Sequence, residues 1–181
     1  MNIVFVCDLH GRTAGADRLP PADLLILGGD LTAFGKPADV RAVLRAFLPL
    51  YPRAVAVLGN CDPPTGEAVL RAHAASLHLA PVRCGPAVFL GIGGSGTTPF
   101  GTPYEWVESA MEAQLGAVSE PVPQPATVLV THTPPLGCGA DRLPSGRHVG
   151  STAVAAFVRR LQPRLVLCGH IHEAIGEFRM D

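Results

Sequence analysis

Charge is scarce in this 181-residue sequence: 14 lysines and arginines stand against 15 aspartates and glutamates, and the formal charge is −1. No basic excess is available to neutralise a row of phosphates, which argues against duplex nucleic acid as an obligate partner. No apolar run approaches the roughly 18 residues of a membrane span. The first residues, MNIVFVCDLHG, lack the basic flank and small-residue cleavage site of a secretory signal. Cysteine is sparse and unpaired in pattern. Cys7, Cys61, Cys84, Cys138 and Cys168 form an odd, scattered set with no CxxC, which argues against a disulfide framework and for reduced thiols in the cytoplasm. Aromatics make up only 6%. What is present is apolar and turn-forming: 48% hydrophobic residues, 20 glycines and 18 prolines. That apolar fraction excludes a disordered chain and reads the glycines and prolines as turns between buried elements. A single domain over residues 1–181 is expected.

Short apolar runs alternate with helix-like segments. The runs are Ile3–Cys7, Asp23–Leu27, Ala54–Leu58, Ala87–Ile92, Thr127–Val130 and Arg164–Cys168. They are apolar on both parities, as expected of strands buried on both faces. Pro37–Leu48 places Val40, Val43, Leu44 and Phe47 on one helical stripe, and Glu67–Leu77 is a second helix. A third is predicted from Thr102 as N-cap, with Pro103 first and Glu105 closing a capping box, running through Trp106 and Met111 toward Leu115. Ser151–Leu161 is a fourth, and the Pro-rich Glu120–Pro125 reads as a loop. Strands alternating with helices imply an α/β fold.

Metal-capable side chains directly follow five of these runs: Asp8 and His10, then Asp30, then Asn60, then His132, then His170 and His172. In open α/β sheets, sites form beyond the carboxyl ends of strands. Taken singly, Asp8, His10 and Asn60 read more readily as turn residues than as ligands, and Asp30 as a turn or helix cap. Together they offer two carboxylates, four imidazoles and one amide oxygen. Mixed nitrogen and oxygen donors suit Mn, Fe, Zn, Co or Ni better than Ca. Seven donors exceed what one ion draws from protein; two divalent ions sharing a carboxylate would use them all, the arrangement suited to displacement at phosphorus.

DLH, GGD, GNCD, THTPP and GHIH, in this order from Asp8 to His172, resemble the motifs of the calcineurin-like metallophosphoesterases. The resemblance implies a four-layer β-sandwich flanked by α-helices, with the metal site in loops at one end. It implies that Asp8, His10 and His172 hold one ion, that Asn60, His132 and His170 hold the other, and that Asp30 bridges them. A metal-bridging hydroxide would then attack phosphorus. GGSGTTPFGTPYE (Gly93–Glu105) and HVGS (His148–Ser151) look like a prokaryotic subgroup related to the MPPED-type phosphodiesterases.

Two departures stand out. The family's GNH carries a histidine where this chain has Cys61, and a thiol is a poor general acid near neutral pH. The GNCD sequence is similar to that of family members that look like phosphodiesterases. That resemblance implies a phosphodiesterase rather than a phosphomonoesterase, with a small diester or nucleotide-like substrate, and no protein general acid is assigned. Members also continue past GHIH with a hairpin and a strand. EAIGEFRMD reads either as a chain without those strands or as a sheet closed differently. Other side chains divide between substrate and structure. Arg12 reads as a phosphate contact or a solvated loop residue. Asp62 either orients Asn60 and Cys61 or begins a turn. His148 reads as a substrate contact, before a helix start at Ser151 whose N–H groups could take an anion, or as a surface histidine. His73 and His78 read as structural or solvent-facing, Gly93–Gly96 as a tight turn, and Cys7 and Cys168 as small core residues. The competing function is a catalytically silent scaffold for protein assembly, which has no need of all seven donors. A nuclease acting on long polymers is disfavoured by the near-neutral charge, and oligomeric state stays open.

Overall fold

The computed structural model describes residues 1–73, 75–118 and 127–179. The Glu120–Pro125 stretch, expected to be a loop, lies outside them. Strands β1 (Ile3–Val6), β2 (Leu24–Gly28) and β3 (Ala54–Val57) form a parallel sheet in the order β1-β2-β3. A second sheet has the order β4-β5-β8-β9, from β4 (Val82–Cys84), β5 (Ala87–Ile92), β8 (Thr127–Thr131) and β9 (Leu165–Leu167). Its pairs are parallel except β4 with β5. A two-residue pair joins β6 (Ser95–Gly96) to β7 (Glu105–Trp106).

Alternation along the strands builds the layers, because successive side chains leave opposite faces of a sheet. Leu25 and Leu27 pack with Val40, Leu44 and Phe47 of helix α1 (Pro37–Phe47) and Leu70 of α2 (Glu67–Ala72). Leu24, Ile26 and Val57 instead meet Phe89, Val128 and Val130 in the middle layer. Leu90 and Leu129 turn outward onto Met111 of α3 (Glu108–Gly116) and Val154 and Phe157 of α4 (Thr152–Leu161). The result is helix, sheet, sheet, helix: the four-layer sandwich expected.

Four expectations need correction. Burial on both faces holds for β2 and β8 but not for β1 and β9, which lie at sheet edges and keep Ile3 and Leu165 exposed. Cys7 and Cys168, past the ends of those edge strands, are therefore only half-buried. Helix α2 stops at Ala72, short of Leu77. Residues 75–77 leave the helix to bond β3, with Ala56 N–H donating to Ala75 C=O and Leu77 N–H to Ala56 C=O. Helix α3 starts at Glu108, not near Thr102. Thr102 and Glu105 do bond one another, but through the Thr102 N–H and hydroxyl donating to the carboxylate, while Glu105–Trp106 pairs with Ser95–Gly96. The start of α4 is as expected, with Val154 N–H donating to Ser151 Oγ at 3.1 Å. Among the described residues no strand follows β9, and no helix is long and apolar enough to cross a membrane.

Candidate metal centre

The parallel strands β1, β2, β3, β8 and β9 deliver their following loops to one end of the sandwich, and the seven candidate donors meet there. Three groups have ligand atoms within 4.8 Å of one another: Asp8, His10 and His172; His10, Asp30 and Cys61; and Asp8, Asp30 and His132. Asp30 joins the groups through different oxygens: Oδ2 lies 3.8 Å from His10 Nε2, and Oδ1 lies 3.4 Å from His132 Nε2. His172 Nε2 is 3.2 Å from Asp8 Oδ1, and the His170 ring packs edge-on against His132 with centroids 5.1 Å apart. Burial, then the neighbouring His132, pushes the His170 imidazole down to about 4, so it is neutral near pH 7, the form in which an imidazole can bind a metal.

The geometry around His132 suits a cation. Its Nδ1 lies 3.0 Å from the Gly28 carbonyl, which can only accept, so Nδ1 carries a proton and the neutral ring keeps its lone pair on Nε2. That lone pair faces Asn60 Oδ1 at 2.9 Å and Asp30 Oδ1 at 3.4 Å. His10 Nε2 and His172 Nε2 face each other at 3.4 Å. Such converging acceptors fit divalent ions with nitrogen and oxygen preference.

The backbone is bent to make this possible. Asp8, His10, Asp30 and His170 have φ of 56, 48, 48 and 73°, among seven non-glycine residues with positive φ in the described structure. Each such left-handed residue costs of order 1–3 kcal/mol, and such strain gathers at functional sites. Glycines open the remaining space. A Cβ on Gly59 would sit 2.0 Å from Asp30 Oδ1, and one on Gly29 (φ 99°) would sit 2.5 Å from His132 Nδ1.

The other singled-out residues separate clearly. Asp62 is fully buried and accepts from Gly59 N–H, Leu31 N–H and both N–H and hydroxyl of Thr32. It therefore staples the Asp30 loop to the Asn60 loop without touching the Asn60 side chain through any of those bonds. Cys61 N–H donates to Asp30 Oδ1 at 2.8 Å, and burial followed by the Asp30 carboxylate pushes its thiol up to about 12. Arg12 is exposed, its Nε donating to the Leu9 carbonyl at 3.3 Å. His148 places Nδ1 2.8 Å from Asp141 Oδ1. The α4 start considered for an anion is served by a carboxylate of the chain itself. Glu108 Oε2 accepts from Ser151 and Thr152 hydroxyls and from Ala153 N–H. His73 is exposed, and His78 stacks on Trp106 with ring centroids 6.3 Å apart.

Sequence reasoning missed three residues. Asp141 is fully buried and gathers Gly137, Gly139 and Gly150 N–H groups besides His148, shaping the loop after His132. Thr102 Oγ1 accepts from Asn60 Nδ2 at 3.0 Å and donates to Glu105 Oε1 at 2.6 Å. Thr102 and Glu105 were visible only as a helix-capping pattern, and Asp141 carried no signal beyond a polar loop.

Several known proteins resemble this chain. An uncharacterised protein of Methanocaldococcus jannaschii is 35% identical, over 96% of this chain and 81% of its own length. A UPF0046 protein of Caenorhabditis elegans is 29% identical over 97% of this chain and 52% of its own, in keeping with the MPPED-type group. Among solved structures, a Thermus thermophilus protein superposes with TM-score 0.64 at 23% identity, covering 92% of this chain and 80% of that one. Phosphopantetheinyl hydrolase of Mycobacterium tuberculosis superposes with TM-score 0.58 at 19% identity, covering 94% and 83%. The calcineurin-like phosphoesterase family model matches residues 1–174. With the fold and the order of its metal-capable loops, that match places the chain in the calcineurin-like phosphoesterases, metal-dependent hydrolases of phosphoesters.

Proposed function

We propose that this protein is a dinuclear phosphodiesterase acting on small phosphodiesters. Asp8, His10 and His172 hold one divalent ion, Asn60, His132 and His170 hold the second, and Asp30 is shared. The observation that carries the reading is the position of Asp30, whose two oxygens face His10 on one side and His132 on the other. Two such ions, Mn, Fe, Zn, Co or Ni by the donor set, supply positive charge to the phosphoryl oxygens and a water acidic enough to attack phosphorus.

The chain's own part is to present donors that are oriented and close. Gly28 C=O fixes the His132 tautomer, Asp62 holds the two central loops together, and strained backbone turns Asp8, His10, Asp30 and His170 inward. A scaffold without catalysis would leave that strain without a purpose. The diester preference is supported by Cys61. A thiol held near 12 is far from the near-neutral pKa an efficient proton donor needs. The leaving group therefore has no protein acid at position 61, which suits diesters with good leaving groups better than alkyl monoesters.

The test is turnover of bis(p-nitrophenyl) phosphate against p-nitrophenyl phosphate by Mn²⁺-loaded protein. The diester is expected to be the better substrate. His132→Ala and Asp30→Asn are expected to lower kcat/KM by more than about 100-fold, beyond the cost of losing an outer-shell partner alone. Wild-type turnover in either variant would refute the site.

A further inference from the structure

The segment Gly93–Glu105 contains none of the seven donors, yet it folds directly onto one of them. Tyr104 N–H donates to the Asn60 carbonyl at 3.0 Å, and Gly94 N–H to the Leu58 carbonyl at 3.0 Å. At the centre of the segment, Glu105 Oε1 takes three bonds: from the Thr98 hydroxyl at 2.6 Å, the Thr102 hydroxyl at 2.6 Å and the Thr102 N–H at 2.7 Å. A carboxylate can only accept, so both hydroxyl protons point at Glu105. Burial is the largest single influence on the Glu105 carboxyl and raises it, but the hydroxyls and N–H groups of Thr102 and Thr98 together outweigh it and hold the group at about 2. It is ionised throughout the neutral range.

The consequence reaches Asn60. The single hydroxyl proton of Thr102 is committed to Glu105, so toward Asn60 the same oxygen can only accept. It lies 3.0 Å from Asn60 Nδ2. A side-chain amide carries its donor and acceptor on opposite branches. Anchoring Nδ2 on Thr102 therefore turns Oδ1 to face His132 Nε2, 2.9 Å away. The opposite orientation would set Nδ2–H₂ toward the metal centre and oppose a cation there.

We propose that Glu105, acting through the Thr102 hydroxyl, is a positioning residue that locks the Asn60 amide with its oxygen toward the second metal position. Asn60 Nδ2 donates to Thr102 Oγ1, and Thr102 Oγ1 donates to Glu105, in that direction only. The inference rests on Asn60 being a metal ligand, as proposed above. It gives the Thr98–Thr102–Glu105 part of the segment a role in metal affinity, although none of these residues is a ligand.

The experiment is calorimetric titration of the chelator-stripped 181-residue chain with Mn²⁺. Wild type is expected to take up two equivalents. Thr102→Val and Glu105→Ala leave one equivalent unchanged and bind the other about 10–100-fold more weakly, the usual cost of losing an outer-shell partner. Thr102→Ser and Glu105→Gln retain the hydroxyl and the acceptor oxygen, and so retain wild-type affinity. In an Asn60→Asp background the added Thr102→Val change costs nothing, because a carboxylate presents oxygen whichever way it turns. Unchanged affinity for both equivalents in Thr102→Val and in Glu105→Ala would overturn the proposal. So would a Thr102→Val penalty that is the same with Asn60 and with Asn60→Asp, since that marks a general loop defect. Fewer than two equivalents in wild type would instead overturn the dinuclear reading, and this inference with it.

Discussion

His132 Nε2 and Asn60 Oδ1 lie 2.9 Å apart, with the other nitrogen of His132 already occupied by the Gly28 carbonyl. With His132 neutral and its proton on Nδ1, these are two acceptors that repel unless a cation lies beside them. Bound metal should therefore stabilise the fold itself. Mn²⁺ at 100 times its dissociation constant is expected to add about 2.7 kcal/mol for one site. Differential scanning calorimetry should show the melting temperature rise with Mn²⁺ and fall back with excess chelator. His132→Ala should lose most of that rise, and an identical rise in the variant would count against the assignment.

The glycines at the site leave no room for a side chain. Gly59→Ala would set its methyl 2.0 Å from Asp30 Oδ1, and Gly29→Ala would set one 2.5 Å from His132 at a φ of 99°. Each is expected to cost about 1–3 kcal/mol from overpacking and to impair metal uptake. Gly116→Ala, on α3 with no atom within 4 Å of its Cβ position, is the matched control. It should leave metal uptake unchanged when the three variants are titrated side by side.

Much of the molecule was legible because its signals are local. The apolar runs became β1, β2, β3, β5, β8 and β9 within a residue or two, and the donors after them converged because parallel strands end on one side. Ser151 was a readable cap for the same reason. What escaped depends on distant partners. Whether Ile3 is buried is decided by strand order, which no window around β1 contains. Thr102 and Glu105 form the same short-range contact in a capping box and in the loop seen here; only the pairing of Glu105 with Ser95 distinguishes them. Asp62 reaches back to Leu31 and Thr32, and nothing beside it announces that bond.

Asp141 predicts a specific acid response. Burial alone would raise its carboxyl, but the N–H groups of Gly137 and Gly150 and the His148 ring outweigh that and hold it below the ordinary value. A carboxyl lowered in the folded state contributes stability above its unfolded pKa, about 3.9, and loses that contribution as pH falls through the folded pKa. Asp141→Asn should therefore unfold at lower urea than wild type at pH 6. The gap should narrow progressively below about pH 4. A gap independent of pH would mean that the charge of Asp141 plays no part.

Cys61 sets the balance between substrates. Restoring an imidazole with Cys61→His supplies a group able to donate a proton near neutral pH. Parallel rates on an alkyl phosphomonoester and on bis(p-nitrophenyl) phosphate should show the monoester-to-diester ratio rising by about 10-fold or more, within the range of one general acid. Cys61→Ser, which adds no such donor, should leave the ratio near wild type. An unchanged ratio in Cys61→His would detach the diester preference from this position.

The central claim is that two ions share Asp30. Elemental analysis of protein loaded with Mn²⁺ and freed of excess metal reads it directly. Two ions per chain in wild type, falling to one or fewer in Asp30→Ala, is the predicted result. One ion per chain in wild type, or two retained in Asp30→Ala, would contradict it.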